Sequence, residues 1–368
     1  MIKTKTLGIC IFILLISGCS FTGNTVKQEN YKIAVITPLT GDGSNLGQPF
    51  ASGMKLAVDE INSNGGINGK KIELFVEDSK LSGRESLNAV NYLETAVDPD
   101  VYSVIFAAPA LSVSSYLQDA KKPLIYEAFS REVLNNNPYA FKANFDSEDG
   151  CKRLAEYLKE NGKYRKLGVI FAKAPYSEEC LIGIKKIEPN VSEYWYTFGE
   201  TDFRTILEKS KKDGVDRIVI QGIEFEFVAL FRQLTEGNYN IKVACATTSE
   251  CITSNVKESA SEQVLNGTIS IDFIPQEIEK GEFAKKYLQK YPDAGFAEIA
   301  YGAVGYEEIM YISKAMENCR PGDSSCMVNS LGDVSNYNSI ILSKGFKDRI
   351  LQLSTDIYNY NGNEWVIS

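Results

Sequence analysis

Short apolar runs alternate with amphipathic stretches along most of the chain. The first run, Tyr31–Thr37, is almost continuously hydrophobic and stops at Pro38, as expected of a parallel strand that is buried on both faces. The stretch that follows has apolar residues at helical spacing, namely Phe50, Met54, Val58 and Ile61. The Asn-Gly-Gly run at 64–66 then supplies residues that end a helix. The pattern predicts a strand followed by a helix.

This unit of strand and helix recurs along the chain. Further strands are predicted at 72–77, 101–106, 123–126 and 141–145, and a second series at 167–172, 191–197, 217–220 and 241–246. Residues 277–318 are mostly helical, and the Asn-Gly-Asn run at 361–363 predicts a hairpin between 357–360 and 365–367. Parallel strands joined by helices need right-handed crossovers. The predicted fold class is therefore α/β, with two doubly wound parallel sheets in series.

The N-terminal residues have the features of a secretory signal. Two lysines precede an apolar run, Leu7–Ile16, that is too short to span a bilayer. The run ends in Ile-Ser-Gly-Cys, which resembles the bacterial lipobox and implies cleavage before Cys19 and lipidation of its thiol. We expect residues 1–18 to be a lipoprotein signal peptide and 19–30 to be the lipidated cysteine and a flexible tether. The protein is then exported and held on a membrane face by its acyl chains, a plain secretory signal being the alternative.

Composition excludes several classes of function. The 368 residues contain no histidine, so histidine zinc sites, Ser-His-Asp triads and imidazole proton shuttles are impossible. Once residues 1–18 are removed, 37 basic side chains stand against 48 acidic ones, a balance that argues against nucleic acid as a partner. The sequence has no metal-ligand motif, and we expect neither a metal nor a cofactor.

The cysteines favour disulfide bonds. Eight cysteines become six once the signal is cleaved and Cys19 is acylated. An even number in an exported protein points to disulfides rather than to catalysis, although spacing alone does not prove a pairing. The expected pairs are Cys151 with Cys180, Cys245 with Cys251, and Cys319 with Cys326.

The first hundred residues after the tether carry a family pattern. The strand and loop IAVITPLTGDGSNLGQPFASGMKLAVDEIN, and later KKPLIYEAFS, resemble the type I periplasmic solute-binding proteins, specifically the branched-chain amino acid and amide receptors of ABC importers. Weaker similarities are TDFRTIL, YGAVGYEEIMYISKAME and FKANFDSEDG, where the family tends to have arginine at the Lys142 position. The resemblance covers about residues 31–332 and is looser toward the C-terminus.

The resemblance implies two lobes joined by three hinge crossings, which we place near 142–145, 271–274 and 338–344. The expected boundaries are 31–142 and 273–338 for lobe 1, and 143–272 and 339–368 for lobe 2. Ligands bind open α/β sheets beyond the carboxyl ends of the strands. Two facing lobes therefore predict a cleft that closes around a small solute by a hinge motion.

Candidate ligand-binding residues in lobe 1 follow the predicted strands. The glycine-rich loop 41–47 has the spacing GxGxxxG, one residue longer than a dinucleotide fingerprint. This spacing favours a cleft-lining loop that contributes Ser44, Asn45 and Leu46 over a cofactor site, and a simple turn is the remaining alternative. The fourth strand ends near Glu127, and its loop contains Phe129 and Ser130. Glu127 is interpreted either as an acceptor for a cation or amide donor, or as a solvated or lysine-paired acid.

The resemblance also implies how amino-acid receptors of the family hold their ligand. A hydroxyl-rich stretch after the third strand and the loop after the fourth hold the carboxylate, and an acid of the second lobe holds the ammonium. Here the first stretch reads Ala107-Ala108-Pro109-Ala110-Leu111, and the acidic position falls on Thr247. Both departures weaken the case for an amino-acid ligand, because an unpaired carboxylate in a dry cleft is costly.

Lobe 2 supplies further candidates. Tyr176 begins the helix after a lobe 2 strand, where the family presents an aromatic residue to the ligand, and simple core packing is the alternative. Glu224 and Phe225 follow the strand 217–220 and belong to the same edge. Phe296 is a weaker candidate, because an aromatic residue that opens an apolar helix usually packs in the core.

The leading hypothesis is a lipid-anchored receptor that captures a small solute and presents its closed form to the membrane permease of an ABC importer. The same fold used as a sensor or chemoreceptor input differs only in its partner. A carboxylate-based enzyme, using a pair such as Asp42 and Glu127, is a third hypothesis from a different class. The acid pairs Glu178-Glu179 and Glu307-Glu308 are expected to be solvated helix faces.

Overall fold

A computed structural model describes residues 29–41, 43–246, 251, 253–335 and 337–368. The predicted signal peptide and most of the tether, including Cys19, lie outside the described residues. The strands, in chain order, are β1 (Tyr31–Thr37), β2 (Ile72–Asp78), β3 (Val101–Ile105), β4 (Leu124–Glu127), β5 (Ala140–Lys142), β6 (Leu167–Ala172), β7 (Ser192–Tyr196), β8 (Arg217–Gln221), β9 (Lys242–Cys245), β10 (Ile269–Asp272), β11 (Ser343–Lys347), β12 (Ile350–Leu353), β13 (Asp356–Tyr360) and β14 (Trp365–Ile367).

The helices lie between these strands and pack on both faces of the sheets. They are α1 (Ser44–Ser63), α2 (Gly83–Ala96), α3 (Ala107–Asp119), α4 (Glu132–Asn136), α5 (Ser147–Glu160), α6 (Pro175–Lys185), α7 (Arg204–Lys212), α8 (Glu224–Glu236), α9 (Ser254–Ser259), α10 (Glu262–Leu265), α11 (Glu282–Lys290), α12 (Phe296–Met316) and α13 (Ser324–Gly332), with a 3-10 turn at Gln276–Lys280. None of the helices in the described ranges has the length and apolar character needed to cross a bilayer.

Two seven-stranded sheets form the two lobes, which confirms the predicted α/β class. The first has the strand order β11-β12-β5-β4-β3-β1-β2, and the second has the order β14-β13-β10-β9-β8-β6-β7. The central strands are parallel, and each sheet acquires antiparallel strands at one edge, where β11 pairs with β12 and β13 pairs with β10 and β14. The predicted C-terminal hairpin is present as β13 and β14.

The lobe boundary near the C-terminus differs from the expectation. Residues 339–368 were assigned to lobe 2, but β11 and β12 belong to the sheet of lobe 1, where β12 pairs with β5. The third crossing therefore falls at 354–355, between β12 and β13, and not at 338–344. The first crossing follows β5 and the second follows β10, close to the expected positions. Neither β11 nor β12 has the continuous apolar pattern that marks the central strands.

The hinge crossings are packed against each other. Phe145 of the first crossing stacks on Phe273 of the second, with ring centroids 6.3 Å apart and an interplanar angle of 24°. The Nζ of Lys142 donates hydrogen bonds to the backbone oxygens of Asn144 (2.8 Å) and Phe145 (2.6 Å). A fully buried ammonium thus fixes the backbone of the first crossing.

The structure brings the six cysteines of the described region together in the expected pairs. The Cα–Cα distances are 5.2 Å for Cys151 and Cys180, 6.1 Å for Cys245 and Cys251, and 5.7 Å for Cys319 and Cys326. We expect all three bonds in the exported protein, each adding about 2–4 kcal/mol to the free energy of unfolding. Mass spectrometry of unreduced peptides checks this, and six free thiols in exported protein would contradict it.

Candidate functional site

The carboxyl ends of the strands of both sheets border one cleft between the lobes, and the lobes touch across it. On the lobe 1 side is the loop that follows β4, and on the lobe 2 side is the first turn of α6. The Oε1 of Glu179 accepts hydrogen bonds from the backbone N–H of Arg131 (2.9 Å) and from the hydroxyl of Ser130 (3.0 Å). Glu179 was expected to be solvated, but it is half-buried because it forms this contact between the lobes. Glu178 beside it is exposed, as expected.

Arg131 connects the same loop to the start of α5. Its guanidinium binds Asp146 through two hydrogen bonds of 2.7 and 2.6 Å, and it also contacts Glu148 at 3.0 Å. Burial would raise the pKa of Asp146, but the guanidinium hydrogen bonds hold it below the ordinary value. The arrangement is a bidentate arginine–carboxylate pair. The Arg131 side chain is therefore already neutralised and offers no free charge to an anionic ligand.

An aromatic cluster fills the middle of the contact. The ring of Phe129 lies 6.2 Å from that of Tyr176 and 6.3 Å from that of Phe145, both in edge-on geometry. Burial raises the pKa of Tyr176 to about 12, so its phenol is neutral at physiological pH. The structure thus joins three residues singled out from the sequence, Phe129, Ser130 and Tyr176, in one place. Phe145 belongs to the hinge and was not among the candidates.

Beneath Phe129, at the floor of the cleft, lies a buried acid pair. Glu127 ends β4 and is 3% exposed, and Glu308 on α12 is fully buried. Their carboxyl groups lie within hydrogen-bonding reach of each other. Burial, with the neighbouring Glu308, raises the pKa of Glu127 well above its ordinary value, and burial raises that of Glu308 to about 7. The interpretation of Glu127 as a solvated acid is therefore wrong, whereas a lysine-paired acid and an acceptor for a cation or amide donor both stay open.

The expectation that Glu307 and Glu308 form a solvated face is also wrong. Both are 0% exposed, because every residue of α12 from 302 to 309 is buried, with α1 and the loop that precedes β11 packed against this part of the helix. The carboxylate of Glu307 accepts hydrogen bonds from the backbone N–H of Ile340 (2.8 Å) and from the hydroxyl of Ser343 (2.7 Å). Glu307 is therefore a structural residue that holds the loop before β11.

Lys142 is the cation of this region. It is fully buried on β5 and lowers the pKa of Glu127 by its charge, against the larger effects that raise it. Burial lowers the pKa of Lys142 itself to about 8. The floor of the cleft therefore combines two carboxyl groups and one ammonium, all shielded from solvent.

A cavity of about 20 Å³ opens beside Glu127. This volume accommodates about one water molecule. The walls are mostly aromatic and aliphatic, and the residues with polar groups are Glu127, Asn144 and Tyr301. The full lining is Phe50, Ile105, Glu127, Phe129, Asn144, Phe273, Ile274, Tyr301 and Val304. A solute larger than water therefore requires movement of Phe129 or of the lobes.

The remaining lobe 1 candidates lie at helix starts along the same sheet edge. Ser44, Asn45 and Leu46 form the first turn of α1, and Asn45 is exposed. The α1 helix begins after Gly43 with φ of 79°, a left-handed conformation that favours glycine. At the start of α3, Ala108 is exposed, whereas Pro109 and Ala110 are buried. Asp42, the partner considered for a carboxylate-based enzyme, lies outside the described residues.

The lobe 2 candidates at α8 lie in a different part of the edge. Glu224 accepts hydrogen bonds from Thr253 (2.5 Å) and Asn255 (3.0 Å), which ties α8 to α9. Phe225 is 42% exposed and packs edge-on against Phe198, which is 56% exposed, at 6.2 Å between ring centroids. Phe198 follows β7 and was not among the candidates chosen from the sequence. An apolar residue just beyond the end of a strand could have indicated it. Phe296 is half-buried against the core, and Thr247 lies outside the described residues.

No group of three or more potential metal ligands occurs among the residues that the structure describes. The polar groups of the floor are instead arranged for hydrogen bonding and charge pairing. The site contains aromatic surface from both lobes, one neutralised arginine and one buried acid pair. Aromatic surface from both lobes and buried polar groups are features suited to holding a small solute.

Comparison with known proteins agrees with this geometry. Residues 30–363 match the family described as "Periplasmic binding protein". The Leu/Ile/Val-binding protein of Escherichia coli K12 is 25% identical over 230 residues, which cover 60% of this chain and 62% of that protein. The chain thus aligns with less than two thirds of the length of that relative.

Two solved structures are similar in fold. The branched-chain amino acid transporter substrate-binding protein of Streptococcus pneumoniae, in complex with isoleucine, has a TM-score of 0.75 and 20% identity, covering 92% of this chain and 100% of that one. A solute-binding protein of R. palustris in complex with 4-hydroxybenzoate has a TM-score of 0.77 and 16% identity, covering 92% and 96%. The resemblance deduced from the sequence is confirmed, and this chain belongs to the periplasmic binding protein family and has its type I fold.

Proposed function

We propose that this protein is an exported, lipid-anchored receptor that binds a small solute between its lobes and delivers it to the permease of an ABC importer. The observation that carries the proposal is the contact of the loop after β4 with the first turn of α6. Phe129 meets Tyr176 there, and Ser130 and Arg131 meet Glu179. A solute that binds at this contact touches both lobes, so its binding stabilises the closed arrangement of the lobes, and closure in turn strengthens binding.

The chemistry of the cleft bears on the solute. The relatives named above include a Leu/Ile/Val-binding protein and a solute-binding protein that was solved with 4-hydroxybenzoate. In this chain the stretch after β3 is Ala107–Leu111, without the hydroxyl groups that would hold a carboxylate, and Arg131 is neutralised by Asp146. Burying an anion without donors is costly. We therefore infer a neutral, cationic or aromatic solute rather than a free aliphatic amino acid.

A thermal-shift screen of the purified protein tests this inference. Leucine should leave the melting temperature unchanged, and neutral, cationic or aromatic solutes should raise it. A solute at 100 times its Kd adds about 2.7 kcal/mol to the free energy of unfolding. Tyr176→Ala should abolish the shift for any solute that binds, because it removes stacking area at the lobe contact. Tyr92→Ala is the matched control, since Tyr92 is 57% exposed on α2. Micromolar leucine binding that is unaffected by Tyr176→Ala would refute the proposal.

Lipidation of Cys19 is expected to hold the receptor on the membrane. Cys19→Ala removes the only thiol that the Ile-Ser-Gly-Cys motif presents for acylation. Without acyl chains, the protein has no anchor of the kind that buried methylene groups provide. Membrane fractionation should find the parent protein in the membrane fraction and the variant in the soluble exported fraction. A variant that stays membrane-bound after signal cleavage would show the lipobox interpretation to be wrong.

A further inference from the structure

Three ionisable side chains lie buried at the floor of the cleft. Glu127, Glu308 and Lys142 are each at least 97% shielded from solvent, since they are 3%, 0% and 0% exposed. Two carboxylates in contact cannot both be ionised at low cost, whereas one buried ammonium balances one carboxylate. The neutral arrangement has Lys142 protonated and a single proton shared between Glu127 and Glu308. The raised pKa values of both carboxyl groups agree with this arrangement.

The other groups that face the pair carry no balancing charge. They are the hydroxyls of Ser103 on β3 and Tyr311 on α12, and the amide of Asn144 in the hinge. Tyr311 is fully buried, and burial raises its pKa, so it stays neutral. Asp146 and Glu179 act on Lys142 rather than on the pair, and both favour its charged form. The shared proton is therefore the variable charge of the pair itself, while Glu179, whose pKa burial also raises, lies on the Lys142 side of the site.

The pair has unsatisfied oxygens, and Glu127 is the member that reaches a cavity. The Oε2 of Glu127 and both carboxyl oxygens of Glu308 are buried and accept no hydrogen bond from the residues that the structure describes. Glu127 lines the cavity of about 20 Å³, which is the size of one water molecule or one ammonium group. The rings of Phe50, Phe129 and Phe273 form part of its wall, and aromatic faces attract cations. Phe129 separates this cavity from the upper part of the cleft, where it contacts Tyr176.

We propose that this cavity is a subsite for the protonated amino group of the solute, and that the amine enters in exchange for the proton shared by Glu127 and Glu308. The inference rests on the proposed receptor function and names its solute class as a primary amine with an apolar body. Before binding, one ammonium and one carboxylate balance. After binding, the ammonium groups of Lys142 and of the solute balance two carboxylates, and the displaced proton passes to solvent. The site is neutral in both states, which is why a monocation fits it better than a neutral or anionic solute.

The first experiment compares solutes of one shape and different charge. Benzylamine, benzyl alcohol and benzoate are titrated into the purified protein by calorimetry, together with a series of primary amines from methylamine to phenethylamine. Benzylamine or another amine of the series should bind at least tenfold more tightly than the matched alcohol and carboxylate. Titrations in two buffers of different ionisation enthalpy should show one proton released per amine bound. Amine affinity should fall about tenfold for each pH unit between pH 7 and pH 5, since a bound proton must be displaced.

The second experiment uses isosteric variants. Glu127→Gln should reduce amine affinity at least tenfold and abolish the preference for amine over alcohol. Glu308→Gln keeps the ligand-facing carboxylate but removes the partner of the shared proton, so amine binding should proceed without proton release and with a flat pH profile. Glu160→Gln, at an exposed position on α5, is the control and should match the parent. Circular dichroism of each variant verifies that it is folded.

Several results would overturn the subsite. These are equal binding of alcohol or benzoate, amine binding without proton release in the parent, insensitivity of amine binding to Glu127→Gln, or no binding of any amine in the series. The receptor function is judged separately by the wider solute screen. If another class of solute binds and depends on Tyr176, the receptor proposal stands and the amine subsite fails.

Discussion

Lys142→Met is expected to lower the free energy of unfolding by about 3–5 kcal/mol at pH 7.5, the usual cost of removing one partner of a buried charge pair. Methionine keeps the length and apolar character of the side chain but removes the ammonium. The backbone oxygens of Asn144 and Phe145 then lose their donor, and the acid pair Glu127 and Glu308 loses the buried ammonium that acts on it. Urea unfolding followed by circular dichroism measures the effect.

The pH dependence identifies the cause of this loss. A carboxyl group whose pKa is raised by folding contributes stability while it is protonated, and that contribution is lost as the pH rises from its unfolded pKa toward its folded pKa. In the parent, the pair retains one proton that the unfolded chain releases, so the contribution of the pair to stability should fall by about 1.4 kcal/mol per pH unit between pH 5 and pH 7. In Lys142→Met the pair must retain two protons, and the slope should double.

The control for this experiment is Lys55→Met on the exposed face of α1, which should change neither the urea midpoint nor the pH slope. If Lys142→Met unfolds at the same midpoint as Lys55→Met, Lys142 does not compensate the acid pair. A lowered midpoint with an unchanged slope would mean that only the hydrogen bonds to the hinge backbone matter.

Gly305→Ala is expected to destabilise the protein by about 3 kcal/mol, since it overpacks a contact that has no free space. The α1 and α12 helices cross so closely that a Cβ atom on Gly305 would lie 2.0 Å from the backbone oxygen of Phe50. A Cβ on Gly53 would lie 1.8 Å from the backbone oxygen of Gly302 in the same way. Backbone atoms cannot move aside as a flexible side chain can, so the helices must separate.

Gly332→Ala is the matched control, because Gly332 ends α13 with no atom closer than 4.0 Å to the added Cβ. Thermal unfolding should show a clear loss of melting temperature for Gly305→Ala and little change for Gly332→Ala. Equal melting temperatures of the two variants would contradict the close helix contact. Because α12 also carries Glu308, the solute affinity of Gly305→Ala should fall together with its stability.

Much of the fold was predictable because the central strands are buried on both faces. A strand such as β1 or β8 is then a continuous apolar run, and the helices between the strands have one apolar stripe. The strands β11 and β12 at one end of the first sheet were missed, because β11 contains polar residues and a glycine and β12 is only four residues long and interrupted by a glutamine. Their place in lobe 1 is decided by pairing with β5, a contact between residues more than two hundred positions apart in the chain.

The sequence by itself determined the α/β class, the two lobes, the family and the loops that line the cleft, since each of these depends on local patterns. Tyr176, Phe129 and Ser130 were singled out as candidates from the sequence and the family resemblance, and the structure places them at one contact between the lobes. The sequence did not identify the acid pair, because a pair of glutamates on a helix is normally solvated. The middle of α12, residues 302–309, is instead buried on every side, so no polar stripe marks an exposed face there. Only tertiary packing brings Glu308 against Glu127 and Lys142, and burial away from water is what turns ordinary charged residues into a proton-sharing site.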